Sequence, residues 1–234
     1  MNSKKKLFNI KTSGLFLLSL LAIFFSCEKQ AERVSRVEVL PYYTEATFTP
    51  HWLNPNDDSL AQLHHISPFQ LVNQDGDTIT EKNLEGKIYV ADFFFTTCPG
   101  ICPKMTSNMA VLQEEFWEDE EIMLISHSVT PDYDSVSVLK NYADAKGVSS
   151  QKWHLVTGDR QQIYDLGRKD YFVEEDLGLE KEADDFLHTE NFVLIDSNRR
   201  IRGIYNGLNK VSINQLIADI KTLKLEDTEG NKNI

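Results

Sequence analysis

Cys98-Pro99-Gly100-Ile101-Cys102 sets two thiols four positions apart, and a pair at that spacing can hold a soft metal ion or exchange disulfides. It follows an apolar run, Ile88 to Phe95 (IYVADFFF), after two threonines and leads into Met105, Met109, Leu112 and Phe116 at helical spacing. That is a strand-to-helix junction, where α/β sheets place their ligand sites. A helix starting at about Pro99 puts both sulfurs on one face of its first turn. The positive field of the helix N-terminus then lowers their pKa and favours the thiolates. Two thiolates suit Cu(I), and Zn accepts them as well. The plainer reading is an inert disulfide or two packed cysteines.

The elements that must position this pair alternate along the chain. Phe69 to Val72, Asp75-Gly76 and Thr78 to Thr80 read as an N-terminal hairpin. The run from Ile88 has the continuous apolarity of a strand covered on both faces, and Ile122 to Val129 is a second such run. Strand, helix and strand imply a parallel pair. A helix around Val136 to Ala145, a short strand near His154 to Val156 and a helix near Gln161 to Arg168 continue the pattern. Phe192 to Asp196 and Ile201 to Tyr205 flank a polar Ser197-Asn198-Arg199 turn and read as an antiparallel hairpin. The last helix opens on a Ser212 to Gln215 capping box and buries Leu216, Ile217, Ile220 and Leu223. Together these predict an α/β fold: a thioredoxin-like sandwich with a mixed central sheet and flanking helices, preceded by the hairpin.

A copper site wants a further ligand beside two sulfurs. In such a sheet the strand from Phe192 runs antiparallel to that from Ile88, so His188 lies at the end where Cys98 emerges. His127, between apolar neighbours Ile125 and Val129, reads as a packed histidine, and His154 falls at the opposite end. His51, His64 and His65 belong to the irregular leader. All seven prolines precede residue 132. The place where thioredoxin-type reductases resemble one another in a cis-proline is taken here by Leu187-His188-Thr189, which removes a substrate-docking feature and supplies an imidazole. Met105 and Met109 carry sulfur, but their spacing with Leu112 and Phe116 favours the core. Asp92 interrupts the apolar strand and either tunes the thiols from behind or lies at an exposed edge.

The chain has 234 residues, 41% hydrophobic and 26% charged, within the range of one globular domain. Lys4, Lys5, Lys6 and Lys11 precede an uncharged run, Leu15 to Phe25, that is about half the length needed to span a bilayer. With Ser26-Cys27 after it, this reads as a bacterial lipoprotein signal, residues 1–26, with Cys27 lipidated; an uncleaved signal anchor is the alternative. Both place the rest of the chain in the cell envelope, facing the periplasm. Residues 27–60 read as a tether and irregular leader, 61–226 as the thioredoxin-like domain and 227–234 as a polar tail. Once the four leading lysines are set aside, 20 basic against 36 acidic residues remain, which excludes a nucleic-acid groove. The stretch from Glu174 to Asp185, with seven acids and one lysine, reads as a solvated loop.

These residues resemble the Sco/SenC family, copper-handling assembly factors for cytochrome c oxidase. The resemblance runs through GKIYVADFFFTTCPGICPKM, SVTPDYDSVSVLKNYA, WHLVTGD and HTENFVLID. It implies that Cys98, Cys102 and His188 bind copper, as Cu(I) and also Cu(II). It further implies that copper comes from a donor and goes to the copper-bearing subunit of the oxidase, at its binuclear centre, or that the protein reduces that centre's cysteines before loading. The family usually has an acid before Pro131 and a basic residue two positions after it, where this chain has Thr130 and Tyr133. A membrane-tethered copper chaperone is thus the first expectation. A thiol-disulfide oxidoreductase, with Cys98 attacking and Cys102 resolving, is the second. A thiol peroxidase ranks third, because no activating arginine lies around Cys98.

Overall fold

The computed structural model describes residues 34–54, 57–173 and 189–230. Its strands are β1 (Gln70–Asn73), β2 (Thr78–Thr80), β3 (Ile88–Phe94), β4 (Ile122–Ser128), β5 (Trp153–Thr157), β6 (Asn191–Ile195) and β7 (Ile201–Asn206). Helix α1 (Cys102–Glu115) joins β3 to β4, α2 (Val136–Lys146) joins β4 to β5, α3 (Arg160–Asp165) follows β5, and α4 (Lys210–Gly230) closes the chain. The strands form one sheet in the order β2-β1-β5-β4-β3-β6-β7. The inner three, β5, β4 and β3, are parallel. β6 lies antiparallel on β3, with Val193 opposite Ala91, and β7 is antiparallel to β6. β1 pairs antiparallel with both β2 and β5. This is the thioredoxin-like sandwich that the element order predicts.

β3 and β4 are buried along their whole lengths, because alternate side chains feed two separate cores. On one face Val90, Phe94 and Leu124 pack with Met105, Met109 and Leu112 of α1, Leu139 of α2 and Leu216, Ile217 and Ile220 of α4. On the other, Tyr89, Phe93 and Ile125 pack with Leu71, Ile163, Tyr164 and Tyr171. Met105 and Met109 are fully buried, so they serve the core as their spacing suggests.

Two helix starts differ from the sequence expectation. α1 begins at Cys102 rather than Pro99. Cys98 precedes Pro99, and the residue before a proline is disfavoured in the helical region. Pro103, in the first turn, has no intrahelical N–H to lose. α4 begins at Lys210, and its cap is Asn209, whose Oδ1 accepts from the Val211 N–H at 2.8 Å. Ser212 therefore sits inside the helix.

The leader is tied to the sheet. Buried Arg202 of β7 donates to the carbonyls of Pro41 (3.1 Å) and Leu40 (2.7 Å) and pairs with Glu226 of α4 at 2.6 Å. Its guanidinium lies 4.0 Å from the centre of the Tyr42 ring. Tyr43 bridges to Ile201, so residues 40–43 lie against the start of β7. Among the described residues no helix is long and apolar enough to cross a membrane.

Candidate metal centre

The loop from Phe95 to Ile101 leaves β3 on the face covered by α1 and α4, and a Cys98 N–H to Phe95 carbonyl bond at 3.3 Å closes its first turn. Both Cys98 and Cys102 are free thiols; Cys98 is half-buried and Cys102 is buried. Their side chains interact with each other in the packed cluster beneath α1, although Cys98 stands outside the helix. α1 has no side-chain N-cap, and its first N–H groups point to the place where Cys98 sits.

That geometry makes the two thiols unequal. Burial pushes the Cys98 thiol up, but bonds from the Cys102 backbone and side chain and from the Gly100 and Ile101 backbone outweigh it, and its pKa ends below the ordinary value. Burial pushes Cys102 up to about 12, with the neighbouring Cys98 adding to the rise. The pair therefore has one accessible, acidic thiol and one buried thiol that keeps its proton. A metal ion that displaces both protons would sit at the helix N-terminus between them.

Behind the thiols, on the same sheet face, Asp92 is 2% exposed. It is not at an edge. Its carboxyl accepts from the Ser126 hydroxyl, which itself accepts from the Trp153 indole N–H at 2.8 Å. Burial raises the Asp92 pKa to about 7, the Ser126 bond offsetting part of the rise. The Tyr142 hydroxyl of α2 donates to Thr106 Oγ1 at 2.7 Å, and the Thr106 hydroxyl in turn donates to the Cys102 carbonyl at 2.9 Å. The first turn of α1 is thus braced from α2.

His127 points to the opposite face, as its apolar neighbours predict. It stacks on Phe93 with ring centres 4.7 Å apart, and its Nε2 has no hydrogen-bond partner among the described residues. His154 lies in β5 within reach of Asn73 at 3.4 Å. His188, Cys27 and the acidic stretch from Glu174 to Asp185 lie outside the described residues. The strand that follows His188 does start at the thiol end, because β6 is antiparallel to β3. Among the described residues no group of three His, Cys, Asp or Glu side chains gathers as a metal site.

A tie the sequence reading misses joins α1 to the segment just after His188. The Asn108 amide donates to the Gly207 carbonyl at 2.6 Å, and the Gly207 N–H donates to the Glu190 carbonyl at 2.7 Å. A Cβ on Gly207 would stand 2.8 Å from that carbonyl oxygen and 2.7 Å from Phe192, so the close approach requires glycine. Asn108 inside an amphipathic helix is the signal that could have found this tie. A second missed residue is Asp134, a fully buried carboxylate in the β4–α2 connection. One of its partners, Thr96, belongs to the loop that carries Cys98.

Fold and site define a class: thioredoxin-like proteins with a dithiol at the first strand-to-helix junction of the central sheet. Within it, the family model described as SCO1/SenC matches residues 57–225, and the chain belongs to that family. A SCO1/SenC family lipoprotein from Bacillus anthracis is 33% identical, with 69% of this chain and 95% of that chain covered and a TM-score of 0.60. BsSco, described with a disulfide switch and as a member of the Sco family of cytochrome c oxidase assembly proteins, is 31% identical, covering 69% of this chain and 94% of that one at a TM-score of 0.59. Arabidopsis thaliana ScoI, solved with copper bound, is 26% identical, covering 68% of this chain and 98% of that one at a TM-score of 0.53.

Proposed function

We propose that the protein carries copper as cargo on Cys98, Cys102 and His188 and delivers it to the copper-bearing subunit of cytochrome c oxidase during assembly. The observation that supports this most is the contact between two free thiols at an uncapped helix N-terminus, the arrangement that best accommodates a soft monovalent ion. The copper-bound Arabidopsis relative and the description of BsSco as an oxidase assembly protein supply the metal and the client. We infer in the same way that the chain is anchored through lipid on Cys27 and faces the periplasm, by analogy with the Bacillus anthracis lipoprotein. The domain limits of the sequence reading, with 61–226 as the working unit after the tether, belong to this proposal.

The inequality of the thiols favours a second reading, in which the protein reduces the oxidase's copper-site cysteines. The Cys98 thiolate attacks a client disulfide and displaces one client thiolate. Cys102 gives its proton to that departing thiolate and attacks the Cys98 sulfur, releasing the second client thiolate and leaving the client reduced by two electrons and this pair oxidised. An external dithiol resets it.

The two readings separate at His188. In an anaerobic Cu(I) titration of the reduced full chain, with thiols counted first, His188→Ala is expected to weaken binding at least about tenfold relative to wild type. Its rate of exchange with a model disulfide should stay within about twofold. Equal Cu(I) affinity in the two proteins would remove the imidazole from the copper reading.

A further inference from the structure

Asp134 is fully buried, and its carboxylate accepts four hydrogen bonds from three surrounding residues. The Thr96 N–H donates to Oδ2 at 3.2 Å and the Thr96 hydroxyl to Oδ1. The Ser128 hydroxyl donates to Oδ2 at 2.6 Å and the Thr130 hydroxyl at 3.0 Å. Four donors match the overall acceptor capacity of a carboxylate, three of them on Oδ2 and one on Oδ1. Its partners come from two places: Ser128 and Thr130 belong to the end of β4, while Thr96 belongs to the loop that carries Cys98. Thr96 sits inside the turn closed by the Cys98 N–H to Phe95 carbonyl bond. Fixing Thr96 at both its backbone and its hydroxyl therefore fixes the turn from which Cys98 projects.

The Thr130 hydroxyl, one residue before Pro131, is a donor to Asp134. Its neighbour Tyr133 is 58% exposed and takes no part in the cluster's side-chain bonds.

We propose that Asp134 is a positioning residue for the dithiol: it acts through Thr96 to hold Cys98 against Cys102, and Thr130 serves it as a donor. The inference rests on Cys98 and Cys102 being the working pair of the proposed function. Held in place, the two sulfurs have a high effective concentration for each other; a loosened Thr96 lowers it.

The test is the equilibrium of the full chain, carrying Cys27→Ser so that one pair alone can form, with glutathione. Two protein thiols give two electrons and two protons to one glutathione disulfide; the Cys98–Cys102 bond forms and two glutathione thiols are released. Thr96→Val and Asp134→Asn are expected to lower the equilibrium constant for the protein disulfide about five- to tenfold, a tenfold change being about 30 mV for a two-electron couple. Thr96→Ser, which keeps the hydroxyl, should remain within twofold of the parent. Ser128→Ala removes a bond to the same carboxylate from β4 rather than from the thiol loop, and should also remain within twofold. If Asp134→Asn does not fold, Thr96→Val beside Thr96→Ser decides the matter. A Thr96→Val equilibrium within twofold of the parent overturns the proposal, as does a Ser128→Ala shift equal to that of Thr96→Val. A chain that shows the expected pattern but binds no Cu(I) supports the clamp and overturns the copper reading instead.

Discussion

Raising the pH from 6 to 8 is expected to tighten Cu(I) binding by the reduced protein at least about 100-fold. A thiol must lose its proton to ligate, so binding releases protons and affinity rises with pH. Cys102, pushed by burial to about 12, keeps its proton in the metal-free protein throughout that range. One proton released per ion gives about tenfold per pH unit. Cys98, held below its ordinary value by backbone donors despite its burial, contributes a further fraction that shrinks as the pH rises. His188, as a third ligand, must also be neutral to bind, so the slope of log affinity against pH should lie between one and three, steepest at the acid end. Competition with a chromophoric Cu(I) chelator at fixed ionic strength, corrected for the chelator's own protonation, reads it directly. A slope near zero would show that Cys102 does not reach the metal as a thiolate.

Stability should respond to acid through a residue on the other face of the sheet. Burial lowers the His127 pKa from 6.5 to about 4, partly offset by its contact with the Asp92 carbonyl. Between those values the unfolded chain binds a proton that the folded chain refuses, so stability falls as the pH falls. The contribution of the neutral, buried imidazole is complete above about pH 6.5 and is lost as the pH drops towards 4. Asp92 acts with the opposite sign: burial raises its pKa from 3.8 to about 7, so its part of the stability is present in acid and lost as the pH rises through that window. The two overlap, and only a difference isolates the histidine. His127→Phe keeps a flat ring against Phe93 and removes the unpartnered Nε2. Between pH 7 and pH 4.5, wild type is expected to lose about 2 to 3 kcal/mol more than the variant in urea unfolding. Parallel losses in the two proteins would mean that His127 is protonated in the folded state.

What the sequence makes legible follows from how local each signal is. Ile88 to Phe94 and Ile122 to Ser128 read as buried strands because both faces of each are covered, which leaves unbroken apolar runs. The thiol pair is legible for the same reason: its two members and the junction that holds them lie within one short segment. Asp92 is undecidable from sequence, since a carboxyl in an apolar strand is explained only by Ser126 on the neighbouring strand and the Trp153 indole behind it. Asp134 is invisible for a related reason: its importance lies in Thr96, 38 positions earlier, and nothing in the composition of the Thr130 to Ser135 turn distinguishes it from an exposed acid. The start of α1 is misplaced because the helical spacing of the cysteines hides the restriction that Pro99 imposes on Cys98. The start of α4 is misplaced because two plausible caps, Asn209 and Ser212, compete, and the tight turn after β7, in which Asn206 accepts from the Leu208 and Asn209 N–H groups, leads directly into the first.

The most direct measurement is X-ray absorption at the copper edge of the reduced, Cu(I)-loaded full chain, for wild type and His188→Ala. Two sulfur neighbours and one imidazole nitrogen are expected in wild type, with the imidazole signal absent from the variant. Sulfur neighbours alone in wild type, or an imidazole signal that survives in His188→Ala, would contradict a site built from Cys98, Cys102 and His188.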